Sequence, residues 1–337
     1  MAHTGRSSFE INRLNLSRAL KHLSYLAKGE VTVRLYSVDG VVYLAYMGQC
    51  AYVAPVGETD ETIDVVISYY DITTFCDVMQ DMTIEITEFG ATLSAGDFTA
   101  KFTKAYGVID FEFNADPKAY KPISPRTSKV LSEFTKLKTF NGMYAKDFPI
   151  RLNANTIEYV TPACIVHGTL DYTLQAVTTS CSSIDTLVHL APTAWQYIEG
   201  SLLFTDGAYV AAVPVTPYVD DHLYAELTSR ANMLCETILR DDVKKLSQLA
   251  SYGSQTATIM TSPTTYQIIA GSAKMTIILG QLETKPTSTF SLPIKVLQNV
   301  LNILKNSAVV MSLAQTKGGR ALWLKTNLGL DMILVVV

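Results

Sequence analysis

The chain has 337 residues, room for two or three domains at roughly 100–200 residues each. It is 48% hydrophobic and only 17% charged, so a large core is expected and disorder is not. The net charge of −4 excludes binding of nucleic acid by bulk electrostatics, so any surface for it must be a local basic stripe on an acidic body. Of the five cysteines, Cys50, Cys76, Cys164, Cys181 and Cys235, no two stand at metal-ligand or redox spacing, which fits reduced thiols. The first residues form no apolar signal region, and no run of about 18 apolar residues occurs, so a soluble, cytoplasmic protein is expected.

Helical apolar spacing first occurs at Leu16, Leu20, Leu23 and Ala27. Strand-like alternation follows over 31–35 and 41–46, with Asp39-Gly40 as the turn. A second helix is read from Ile72, Phe75, Cys76 and Met79, with strands at 83–88 and 98–103. A third comes from Val130, Leu131, Phe134 and Leu137, before strands at 156–160 and 165–173. The fourth is Ile184, Leu187, Val188 and Ala191, and Thr205-Asp206-Gly207 marks a turn after it. The fifth is Val243, Leu246 and Ala250, with strands at 257–260, 266–270 and 275–279. The sixth is Leu297, Val300, Leu301 and Leu304, with strands at 309–314, 321–325 and 331–337.

The helices begin at 16, 72, 130, 184, 243 and 297, spaced 56, 58, 54, 59 and 54 apart. Six units of one helix and several antiparallel strands therefore fill the chain. Proline-containing stretches at 114–125 and 214–226 divide them in pairs, which predicts three domains over 1–115, 120–218 and 222–337.

A helix laid on a sheet buries one face and exposes the other. Arg18, Lys21 and Lys28 lie opposite the apolar side of the first helix. Arg126, Lys129 and Lys136 do so on the third, Arg240 and Lys244 on the fifth, and Lys295 and Lys305 on the sixth. The second carries no base and the fourth only His189. On any one helix such residues are most simply its solvated side. Repeated at one spacing, they converge on a single surface suited to phosphates rather than to base edges.

No motif for chemistry is present. There is no phosphate loop, dinucleotide fingerprint, histidine pair at ligand spacing or Gly-x-Ser-x-Gly elbow. Asp220-Asp221 reads as a loop, and Asp241-Asp242 as acids favouring a helix N-terminus. A binding protein without metal or cofactor is expected, not an enzyme.

The segment FSLPIKVLQNVLNILK at 290–305 leads through an apolar strand end into a helix. It is followed by a strand, a Gly-rich turn and two more strands, and this order is similar to the closing half-domain of the bacterial and phage DNA sliding clamps. Residues 63–113 also resemble a clamp half-domain, with an exit at Asp110-Phe111. The resemblance implies an α+β DNA-clamp fold: three tandem domains, six β-α-β-β-β half-domains, and helices on one face of curved antiparallel sheets. It implies a non-enzymatic processivity factor that encircles duplex DNA as a head-to-tail homodimeric ring and tethers polymerase and other replication proteins, with a clamp loader among the possible partners. It also implies a partner pocket between the middle and C-terminal domains, with Tyr209, Val210, Met332, Leu334 and Val336 as candidate lining. Thr205-Asp206-Gly207 is similar to a clamp turn beside that pocket, whereas the ending Met332-Ile333-Leu334-Val335-Val336-Val337 lacks the proline usual there. Two alternatives stay open: an open or monomeric clamp-fold factor gripping DNA by charge, and a structural or virion protein of repeated β-units.

Overall fold

In a computed structural model, the structure describes residues 7–27, 31–76, 82–87, 90–95, 97–103, 115–138, 148–218, 224, 232–239, 256–261, 265–270, 273–278, 288–304, 309–316, 319–327 and 329–336. The chain is α+β, and every strand pairing among these residues is antiparallel. It divides into two compact units, one of 1–123 with 185–215, the other of 124–184 with 216–337.

The first unit opens with β1 (Ser7–Ile11), α1 (Arg13–Leu26), β2 (Thr32–Val38), β3 (Val41–Met47) and β4 (Ala51–Glu58). The order then repeats as β5 (Asp64–Ser68), α2 (Tyr69–Cys76), β6 (Met82–Thr87), β7 (Gly90–Ala95) and β8 (Phe98–Thr103). With β9 (Lys121–Pro122), β12 (Ala194–Ile198), β13 (Ser201–Thr205) and β14 (Val210–Pro214) these strands form one twelve-stranded sheet, in which β14 pairs with β4. Asn12 caps α1 by accepting the Asn15 N–H at 3.2 Å. Leu16, Ala19, Leu20, Leu23 and Leu26 are its buried stripe, packed on β3 and β4.

The second unit contains α3 (Pro125–Thr135), β10 (Ile150–Val160), the sixteen-residue β11 (Cys164–Thr179), β15 (Thr216–Pro217) and β16 (Asn232–Leu239). After these come β17 (Thr256–Thr261), β18 (Thr265–Ala270), β19 (Ala273–Ile278), β20 (Ser288–Pro293), α5 (Ile294–Leu304), β21 (Val309–Thr316), β22 (Gly319–Thr326) and β23 (Leu330–Val336). They build a seven-stranded sheet containing β10, β11 and β21 to β23, and a four-stranded sheet ordered β19-β18-β17-β20. Ser124 caps α3, accepting the Thr127 N–H at 3.0 Å, and Pro125 supplies a preset φ in its first turn. Helix α3 buries Thr127, Val130, Leu131 and Phe134 against β11. The boundary at 184/185 falls inside α4 (Cys181–Leu190).

The β-α-β-β-β order is complete in the first, second and sixth repeats. The helix expected over 243–250 lies outside the described residues. No helix among the described residues is long and apolar enough to cross a membrane.

Candidate nucleic-acid interface

The exposed side of α1 carries Leu14, Arg18, Lys21 and Tyr25, spaced four, three and four apart, which places them in one row along the helix. Leu14 is 82% exposed although apolar, so this end of the row is not packed against the unit that bears it. Lys21 is exposed and has no ion pair among the described residues. Arg18 differs. Its side chain is 51% exposed, yet its guanidinium Nη2 is ion-paired with the Asp206 carboxylate, which is only 9% exposed. Asp206 sits in the turn between β13 and β14 and is held there by hydrogen bonds. Its Oδ1 accepts the Ala208 N–H at 2.9 Å, and Thr205 Oγ1 accepts the Gly207 N–H at 2.9 Å. Gly207 takes φ of +93°, which a side chain would strain.

Beneath this row, His22 Nδ1 lies 2.9 Å from the Tyr52 hydroxyl, and Tyr52 stacks on Tyr209 with ring centroids 5.5 Å apart. The Tyr209 hydroxyl donates to the Leu190 carbonyl at 2.9 Å. Burial lowers the pKa of His22; the negative Asp206 opposes that shift, and Arg18 and Lys21 reinforce it. Burial raises the Tyr52 and Tyr209 pKa values, so both stay protonated and neutral. Tyr25 meets the His189 ring at 4.8 Å. Helix α2 offers Tyr70, 74% exposed, on its outer side and no base among its described residues.

Helix α3 repeats the pattern of α1. Arg126 and Lys129 are exposed three residues apart. Lys129 has no ion pair among the described residues, whereas Arg126 Nη1 lies 3.4 Å from Asp171 Oδ1. The carboxylate of Asp171, on β11, also accepts the Ser124 hydroxyl, and its backbone N–H donates to Thr127 Oγ1 at 3.1 Å. Arg126 lies against Gly329, where an added Cβ would stand 2.6 Å from its Nη2. Lys136 is ion-paired with Glu133. On α5, Lys295 is exposed and without an ion pair among the described residues. Lys28, Arg240, Lys244 and Lys305 lie outside the described residues.

Of the residues read as partner-pocket lining, Tyr209 is buried under α1, Val210 is half-buried in β14, and Met332 and Leu334 are fully buried in β23. The side chain of Val336 lies outside the described residues. The seven-stranded sheet also holds an apolar cluster absent from the sequence reading: Ile165, Ala321, Trp323 and Ile333, with Val160 and Tyr224 packed against it. The Trp323 indole N–H is buried with no hydrogen-bond partner among the described residues. Beside the cluster, Tyr224 stacks on His167 at 3.8 Å and donates to Asp331 Oδ2 at 2.7 Å. Strand pairing assembles this group from β10, β11, β22 and β23, so no single stretch of sequence announces it.

The repeated β-α-β-β-β order on antiparallel sheets is the DNA sliding-clamp fold. Among solved structures, the beta clamp of Helicobacter pylori bound to a DNA ligase peptide matches with a TM-score of 0.75 at 10% identity, over 98% of this chain and 99% of that one. The DNA polymerase sliding clamp of Bacillus subtilis matches at 0.75 and 10%, over 99% of each chain. The DNA polymerase III beta subunit of Pseudomonas aeruginosa matches at 0.76 and 13%, over 98% and 99%. No protein-family model and no curated protein sequence matches the chain.

Proposed function

We propose that this chain is a DNA sliding clamp: a ring around duplex DNA that tethers a polymerase and other replication proteins. The observation that carries the reading is the full-length agreement with bacterial clamps, end to end in both chains. A short or partial match would speak for one shared module; a match over 98–99% of both chains supports the same fold throughout. The proposal includes three domains over 1–115, 120–218 and 222–337. It assigns no catalysis to the chain.

DNA contact in this reading falls on Lys21, Lys129 and Lys295, with Arg18, Arg126 and Lys136 nearby and Lys28, Arg240, Lys244 and Lys305 completing the set. Lysines on helix faces bind phosphate without reading bases, so contact is independent of sequence and sensitive to salt. Short apolar peptides of polymerase and other partners would dock on this chain, as a DNA ligase peptide binds the Helicobacter pylori clamp. The candidate lining is Tyr209, Val210, Met332, Leu334 and Val336.

Ring closure in this reading is a strand-to-strand contact between two copies. Each chain has an edge strand in its first unit, β8, and one in its second, β19, each bonded on one side only among the described residues. An exposed edge invites pairing with another chain. Joining β8 of one copy to β19 of the next, twice, closes a two-membered ring. The test is the mass in solution, expected at twice 37.0 kDa. Phe102→Asp in β8 is expected to give the monomer with its fold intact. A wild-type chain that is strictly monomeric at micromolar concentration contradicts the closed ring.

A further inference from the structure

We infer that Asp206 and Asp171 are built-in counterions that restrain the hold of Arg18 and Arg126 on DNA phosphates. The inference rests on the sliding-clamp reading above and names how its DNA surface is regulated. On each of α1 and α3, an arginine and a lysine stand three residues apart on the exposed face. In both helices the lysine has no ion pair among the described residues, while the arginine meets a carboxylate. That carboxylate comes from a distant part of the chain, 188 residues from Arg18 and 45 from Arg126.

Both acids are held in place by other bonds. Asp206 is fixed by the Ala208 N–H, and Asp171 by the Ser124 hydroxyl and by its own N–H to Thr127. A phosphate approaching Arg18 or Arg126 therefore exchanges one anion for another that needs no ordering to compete. It gains little and also meets the negative charge of the displaced carboxylate. Partly exposed ion pairs contribute little to folding, so stability alone gives slight reason for the arrangement. A ring held on DNA by its topology has a use for it, since weak phosphate contacts let the ring move along the duplex.

The test compares wild type with Asp206→Asn, Asp171→Asn and the double variant on a short, open-ended fluorescent duplex, across a salt series. Topology contributes nothing there, so affinity reports direct contact. Each single change is expected to tighten binding about threefold, as removal of one nearby screened charge would. The double variant should also steepen the dependence of log affinity on log salt by about two, one for each arginine released to a phosphate. Arg18→Gln supplies the independent arm. In the wild-type background its loss of affinity should be smaller than that of Lys21→Gln, and in Asp206→Asn it should abolish the gain.

Unchanged or weaker binding by the asparagine variants overturns the inference, as does an Arg18→Gln loss equal to that of Lys21→Gln. If Asp206→Asn lowers the melting temperature, the Arg18 comparison in the wild-type background decides, because that side chain is half-exposed. Retention of the wild type on closed circular DNA separates the two levels. A wild type that is not retained removes the clamp reading and this inference with it. A retained wild type whose variants bind alike removes only the inference.

Discussion

At Gly168, on β11, an added methyl would stand 2.8 Å from Val130 Cγ1, 3.0 Å from Ile157 Cγ2 and 3.1 Å from Phe134 Cε2. The bare backbone at this point is what lets α3 lie close on its sheet. Gly168→Ala is expected to cost about 1–3 kcal/mol, the range for overpacking a filled core, measured by urea unfolding. Two histidines are expected to make the fold sensitive to acid. Burial lowers the pKa of both His22 and His167 from 6.5. Around His22 stand Tyr52, Tyr209, Asp206, Arg18 and Lys21; around His167 stand Tyr224, Glu158 and Asp331. Each group binds a proton more readily unfolded than folded, so its stabilisation is present above pH 6.5 and is lost as pH falls through the lower folded value. The melting temperature should therefore drop as pH is lowered below 6.5, and His22→Gln with His167→Gln should flatten part of that slope. A wild-type profile unchanged by the double substitution contradicts this. Neither this acid sensitivity nor the difference between Arg18 and Lys21 is legible in the sequence. The two bases look alike until the fold brings Asp206 to one of them.

Helices were the legible elements, because a one-sided apolar stripe repeats every three or four residues whatever the sheet does. Their starts were less so. The sequence reading anchors α1 at Leu16 and α3 at Val130, but the helices begin at Arg13 and Pro125, each just past a capping Asn12 or Ser124. The caps are polar and precede the first buried residue, so an apolar pattern enters too late. Ser124→Ala removes the cap of α3 and its bond to Asp171, and is expected to cost about 1 kcal/mol in a denaturant melt. A variant as stable as wild type would show that the cap is dispensable. Strands with one wet face, such as β2 and β8, show alternation and were read. Strands β4, β13 and β14 were not. Tyr52, Val53 and Ala54 are consecutively buried, as are Leu202, Leu203 and Phe204, and Ala211, Ala212 and Val213. Buried on both faces, these strands have no period of two to detect.

The near-regular spacing of the helical patterns carried the fold class, because it depends on the length of a repeating unit and not on any residue within it. That is how a fold shared with clamps at 10–13% identity was visible in one sequence. The same independence hides the sites. Tyr209 and Met332 are apolar enough to line a pocket or to fill a core, and their burial is a property of packing rather than of composition. The acidic net charge of −4 also takes on meaning here. On the proposed clamp reading, a chain that holds DNA by enclosure has no need of a basic body, and exposed lysines such as Lys21, Lys129 and Lys295 have only to keep the duplex from resting against acid. Enclosure is tested most directly by retention on nicked circular duplex DNA before and after a single linearising cut, at a salt concentration that suppresses phosphate contact. A closed ring gives a complex that survives gel filtration on the circle and is lost within the time of the run once the circle is opened. Equal retention on circle and linear DNA, or none on either after loading, would contradict it.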